Sequence, residues 1–170
     1  MSASFVFDKI FFGADHAGFP LKEALREALS KELALPYEDH GVYDDDTAVD
    51  YPEAVPGVVY AMRKAVQDGC AACGVLVCGS GLGISMVANR FSGIRAALCC
   101  SVEMAQLARQ HNDANVLALG ARLTNIETAV KMLQMFLTTP FEGGRHARRV
   151  QKIDALGRGL NVVAENGGIP

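Results

Sequence analysis

The chain has 170 residues, half of them hydrophobic, and a formal net charge of −3; this suits one sizeable core and gives no electrostatic pull toward nucleic acid or membranes. No apolar stretch approaches membrane-spanning length and no basic flank leads into a long apolar run, so neither insertion nor secretion is expected and the cytoplasm is the default location. Five cysteines, an odd number with Cys99 and Cys100 adjacent, make a poor disulfide framework and fit a reducing compartment.

The first strand is expected at Ile10-Phe11-Phe12, running into Gly13-Ala-Asp15-His16-Ala-Gly18, where small residues surround an acid and an imidazole. In isolation the commoner fate of such residues is structural, Asp15 as a helix cap and His16 as a loop histidine. Pro20 suits a first helical turn. Leu21, Leu25, Leu29 and Leu33 then recur at four-residue steps as one apolar stripe, opposite a polar face carrying Lys22, Glu23, Arg26 and Glu27. Tyr37 to Val42 reads as a weak strand. The acidic run that follows, Asp44 to Asp46, reads as solvated loop, because it lacks the glycine and terminal glutamate of a calcium loop. A helix is expected from Pro52 to near Gly69, with Val55, Val58, Val59, Met62 and Val66 forming its apolar side.

The most informative stretch is Gly74 to Asn89. Val75, Leu76 and Val77 form an unbroken apolar run of the kind buried on both faces in a parallel sheet, while Ile84, Val87 and Ala88 fall on one face of a helix. Between them lies Cys78-Gly-Ser80-Gly81-Leu-Gly83. Such a turn reads either as a tight connection around a buried, inert cysteine or as one that brings backbone close to a ligand and sets helix-terminal N–H groups beside a thiol, which favours the thiolate. Glycines at 79, 81 and 83 miss the dinucleotide fingerprint by one position, and no lysine completes a P-loop. Cys70 and Cys73 have redox spacing, but they close a helix and enter a strand, the reverse of the thioredoxin placement, so they read as structural.

A strand at Ile94 to Cys99, a helix from Ser101 to Arg109, a polar knot at Gln110 to Asp113 and a strand at Val116 to Leu119 come next. Arg122 follows that last strand. A helix from Ile126 to Leu137 precedes Pro140-Phe-Glu142-Gly-Gly-Arg145-His146, and a final helix is expected through Leu156. On it Arg145 and Arg149, four apart, share one face, either as a solvated basic surface or as two forks for a phosphate. Residues 1–160 are expected to form one domain and 161–170 a frayed tail. Strands alternate with helices, so the fold class is α/β, a three-layer αβα sandwich on a five-stranded parallel sheet of flavodoxin-like or Rossmann-like type. Strand order 2-1-3-4-5 would make the first and third strands neighbours at the switch point, with Asp15-His16 and Cys78 facing one crevice.

Seven segments together resemble the type B ribose-5-phosphate isomerases, a family that includes galactose- and allose-6-phosphate isomerases. They are Asp15-His-Ala-Gly-Phe, Asp50-Tyr51-Pro, Cys78-Gly-Ser-Gly-Leu-Gly, Asn89-Arg-Phe-Ser-Gly-Ile-Arg95-Ala, Arg109-Gln-His111-Asn112-Asp-Ala-Asn115, Leu119-Gly-Ala-Arg122 and Glu142-Gly-Gly-Arg145-His146. The resemblance implies a sugar-phosphate isomerase working without cofactor or metal as a homodimer, or a dimer of dimers, with its active sites at the dimer interface. It assigns Cys78 as the base moving a proton between C2 and C1, His111 as the group opening the furanose ring, and Ser80 with the amides around Gly79, Gly81 and Gly83 as the cradle of the enediolate. Ser80 stands where many relatives have threonine and keeps the hydroxyl. Asp15, Tyr51 and Asn112 would bind sugar hydroxyls, and Arg122, Arg145 and Arg149, with His16 or His146, the phosphate. Three alternatives stay open: a hexose 6-phosphate substrate, a flavin or dinucleotide module on the same glycine turn, and a redox protein using Cys70 and Cys73.

Overall fold

A computed structural model describes residues 4–164. Among the described residues five strands, β1 (Lys9–Ala14), β2 (Tyr37–Asp39), β3 (Ala72–Cys78), β4 (Ala96–Leu98) and β5 (Val116–Gly120), form one parallel sheet. The helices are α1 (Phe19–Ala28), α2 (Ala54–Gln67), α3 (Leu82–Ala88), α4 (Val102–Asn112), α5 (Ile126–Thr138) and α6 (Arg145–Ala164).

The strand order is β2-β1-β3-β5-β4, which corrects the expected 2-1-3-4-5 by exchanging the last two strands. Burial explains the exchange. All seven residues of β3 and all five of β5 are buried, as central strands require, whereas the small residues of β4 are only half-buried at the edge. The expected neighbours β1 and β3 do pair, from Lys9 opposite Ala72 to Ala14 opposite Val77. On the other side Cys78 pairs with Gly120, so the carboxyl ends of three strands converge on the cysteine.

Connections that step toward the β2 edge carry α1 and α4, and those that step the other way carry α2 and α3, as right-handed crossovers demand. Two core clusters result. Phe12, Val75, Val77, Leu117, Leu119, Met132, Leu133 and Phe136 fill the face under α1, α4 and α5. Phe11, Val55, Val58, Leu76, Cys78, Ile84 and Ala88 fill the face under α2 and α3. Alternation along β3 thus sends the Cys78 side chain to the α2–α3 side. Each Leu or Phe buried this way contributes about 1.5–3 kcal/mol.

The leucine stripe of α1 ends in a π-helical turn, Leu29–Leu33, closed by the Ala34 N–H on the Leu29 carbonyl at 3.0 Å. Four-residue steps drift by about 40° each on an α-helix, and the wider turn returns Leu33 to the core, against which it packs. Lys22 departs from its expected place on the polar face. Its side chain is wholly buried, with Nζ donating to both Asp39 carboxylate oxygens at 2.7 and 2.8 Å and to the Val42 carbonyl at 2.6 Å. The last helix passes the expected end at Leu156 and continues to Ala164. Of the expected tail, 161–170, residues 165–170 lie outside the described residues.

Candidate active site

Cys78 closes β3, is 3% exposed, and has the Gly81 N–H donating to Sγ at 3.1 Å. That contact needs the chain to reverse within three residues. Gly81 manages it at φ +76°, where an added Cβ would stand 2.8 Å from the Leu119 carbonyl carbon. Ser80 Oγ, on the same turn, accepts from the Leu82 N–H at 3.3 Å. Gly83 is demanded by a close approach instead, since a Cβ there would lie 2.6 Å from the Tyr51 ring, so the half-exposed Tyr51 lies directly over the turn. Arg122 reaches the same place from β5. Its N–H donates to the Gly79 carbonyl at 3.0 Å, and its guanidinium carbon would be 3.3 Å from a Gly79 Cβ.

From β1, Asp15 joins this group through its N–H on the Val77 carbonyl at 3.2 Å. One of its carboxylate oxygens is taken by the Gly18 N–H at 2.8 Å, which closes the turn before α1; the helix itself has Gly18 at its N-cap and no side-chain cap, so the helix-cap reading of Asp15 is corrected. His16 Nδ1 lies 3.2 Å from the Val49 carbonyl oxygen. Asp15, His16, Tyr51, Cys78, Gly79, Ser80, Gly81, Gly83 and Arg122 therefore assemble at the carboxyl end of the sheet.

The remaining predicted residues do not join them. In a parallel sheet each helix returns to the amino end of the next strand, and α4 finishes at Asn112 just before β5 begins. His111 and Asn112, expected in a loop, thus occupy the last turn of α4, roughly 15 Å from the plane of Cys78 for a helix of this length. The segment after α5 meets them there: Arg109 Nε donates to the Thr139 carbonyl at 3.3 Å and the Glu142 N–H to the Gln110 carbonyl at 3.1 Å. Arg145 and His146 open α6, with Arg149 one turn on.

This second cluster is tightly built. The His111 and His146 rings stack at 4.2 Å between centroids and 2° between planes, and Arg145 Nε lies 3.3 Å from His146 Nε2. Burial first, then the neighbouring His111, Arg145 and Arg149, hold the His146 imidazole below its ordinary pKa. Sequence reasoning missed what fixes the end of α4. Asp113, in the left-handed conformation at φ 45°, accepts from Arg109 Nη1 at 2.9 Å and from Arg95 Nη2 at 2.9 Å. Arg95 also donates to the Asn112 carbonyl at 3.1 Å and reaches Asp154 on α6 at 3.1 Å. The four-residue spacing of Arg109 and Asp113 was the available signal.

Cys70 and Cys73 are free and unsuited to redox exchange. Cys73 sits fully buried inside β3, where burial pushes its thiol far above the ordinary range, and burial also pushes Cys99 up to about 12. Iodoacetamide on the native protein should leave Cys73 and Cys99 unmodified while the exposed Cys100 reacts. Peptide mass mapping reads this directly, and labelling of Cys73 at the Cys100 rate would contradict the burial. Asp44, in the acidic run, caps its own turn through the Thr47 N–H at 2.7 Å.

Similarity to known proteins extends over most of the chain. The family model described as Ribose/Galactose Isomerase matches residues 10–153. Ribose-5-phosphate isomerase B of Escherichia coli strain K12 is 43% identical over 148 residues, spanning 87% of this chain and 95% of that one. The crystal structure of a ribose 5-phosphate isomerase from Thermotoga maritima superposes with a TM-score of 0.79 at 47% identity, covering 86% of this chain and 97% of the other. That of ribose-5-phosphate isomerase B from Mycoplasma genitalium, with bound ribulose-5-phosphate, gives 0.81 at 37% identity and covers 91% and 99%. With the family model, the fold and nearly the whole length in agreement, the chain belongs to the ribose/galactose isomerase family.

Proposed function

We propose that the protein interconverts ribose 5-phosphate and ribulose 5-phosphate, and that it does so as a two-fold dimer. The observation that carries the reaction is Cys78 at the end of β3, with the Gly81 amide on its sulfur and Ser80, Tyr51, Asp15 and Arg122 around it. Cys78 as thiolate takes the proton from C2 of the open aldose and returns it to C1. The electron pair left on carbon passes onto the carbonyl oxygen, giving an enediolate that Ser80 Oγ and the turn amides hold by hydrogen bonds, and as C1 is reprotonated the O2 proton passes to O1, leaving the C2 carbonyl of the ketose. His111 exchanges a proton with the ring oxygen when the furanose opens. Asp15, Tyr51 and Asn112 hold hydroxyls, and Arg122, Arg145, Arg149 and His16 surround the phosphate. His146, buried flat against His111, is better placed to support that ring than to reach a phosphate. The ribose-5-phosphate isomerases among the relatives favour this pentose over the hexose 6-phosphate alternative.

The dimer follows from distance. Groups acting on C2 and on the ring oxygen must each stand within about 3 Å of their atom, yet Cys78 and His111 occupy opposite ends of one sheet. A two-fold axis across the strands sets the carboxyl end of one protomer against the amino end of its partner and builds two equivalent sites. Each would take Cys78, Ser80 and Arg122 from one chain and His111, Asn112, Arg145 and Arg149 from the other.

Both arginines at the start of α6 are exposed, which fits a ligand arriving from outside the chain. Arg145→Ala and Arg149→Ala should each weaken substrate binding by about 1.5–3 kcal/mol, the worth of a hydrogen bond to a charged group, and inorganic phosphate should compete with substrate in the native enzyme. Steady-state kinetics across substrate concentration measure both effects. Unchanged KM in the two variants would return the pair to a solvated basic surface.

A further inference from the structure

The His111–His146 stack carries a third partner that the isomerase reaction leaves unused. Glu142 Oε2 lies 3.9 Å from His111 Nε2 and 3.8 Å from His146 Nε2, distances too long for hydrogen bonds. The ligand atoms of the three residues all fall within 4.8 Å of one another. Each is held by backbone rather than by the others: His111 by the clamped end of α4, Glu142 by its N–H on Gln110, and His146 by its N–H on the Gly143 carbonyl at 3.0 Å. Two imidazole nitrogens and one carboxylate are the donor set of an open zinc site, whose fourth position a water takes.

We propose that His111, Glu142 and His146 bind a single Zn2+ ion, and that its occupancy shuts off isomerisation by taking the imidazole that opens the sugar ring. The binding claim stands on geometry alone, and the inhibition claim rests on the function proposed above. Metal–ligand bonds of about 2.0–2.2 Å require the two glutamate–histidine gaps to close and the stacked rings to splay. Arg145 must leave His146 Nε2, which its exposed side chain allows. The ion would sit where the sugar's ring oxygen approaches, so substrate and metal would exclude one another.

Calorimetric titration of the full-length, metal-free protein with Zn2+, backed by the visible absorption of Co2+ as a coordination probe, tests the binding. One ion per chain is expected, with affinity reduced on the order of a hundredfold in Glu142→Ala and in His146→Asn, since even partners outside the ligand set are worth 10–100-fold. In activity assays Zn2+ should inhibit the native enzyme and a chelator restore it. Glu142→Ala, which removes no group assigned to the reaction, should isomerise normally and resist Zn2+. Equal Zn2+ affinity in native protein and Glu142→Ala overturns the proposal. Binding that survives in Glu142→Ala but is lost in Cys78→Ala does the same, by moving the metal to the thiol. Zn2+ binding that depends on Glu142 in a protein without isomerase activity would keep the metal site and reject the function.

Discussion

Cys78→Ala and His111→Ala chains, each inactive alone, should recover about a quarter of native activity when refolded together in equal amounts. Random pairing makes half the dimers mixed, and in a two-fold dimer each mixed pair contains one site with both residues intact and one lacking both. The expectation rests on the direction of α4, which carries His111 away from Cys78 to the opposite end of the sheet. Activity of the mixture against each variant alone, with size measured by light scattering, reads the result. A mixture no better than its components, in samples shown to exchange subunits, would place both residues in one chain's site and contradict the dimer geometry.

Cys78→Ala should lower the isomerisation rate by roughly 10²–10⁴, the contribution of a positioned general base, while sugar-phosphate binding changes little. In the proposed site the sulfur is no part of the phosphate anchor, which is assigned to Arg122 after β5 and to the arginines of α6, and the hydroxyl contacts are assigned to other side chains. Loss in kcat without loss of affinity marks a group that acts only in the transition state. Cys78→Ser should be nearly as poor, because an alcohol is far less acidic than a thiol and stays protonated near neutral pH even with the Gly81 amide beside it. Retained activity in Cys78→Ser would mean that the position supplies a hydrogen bond and not a base.

Much of this was legible in the chain. The apolar run before Cys78 and the glycines after it specify a buried strand and a turn too tight for side chains, and both appear in place. Asp15, Tyr51 and Arg122 converge on that turn because each follows a strand or opens a helix at the carboxyl end, a consequence of parallel topology that alternating periodicities already imply. Other features depend on pairings between distant segments. The exchange of β4 and β5 was visible only as a contrast between Ala96-Ala97-Leu98 and the bulkier Val116-Leu117-Ala118-Leu119, a difference that matters once the strands compete for the centre. Lys22 looked like a surface residue because its partner, Asp39, lies on another element. Polar residues 110–113 suggested a loop, yet Arg95 and Arg109 clamp Asp113 and extend the helix through Asn112. Helix direction then decides which residues share a site within one chain, and motif order along the sequence is silent on that.

Transfer of the C2 proton by Cys78 is measured most directly by exchange of that hydrogen with solvent. Ribose 5-phosphate incubated with enzyme in deuterium oxide and followed by NMR should lose its C2 proton signal with native protein. In Cys78→Ala the signal should persist even though the sugar still binds and its ring still opens. Exchange at the native rate in Cys78→Ala would assign the proton transfer to another group and contradict the mechanism.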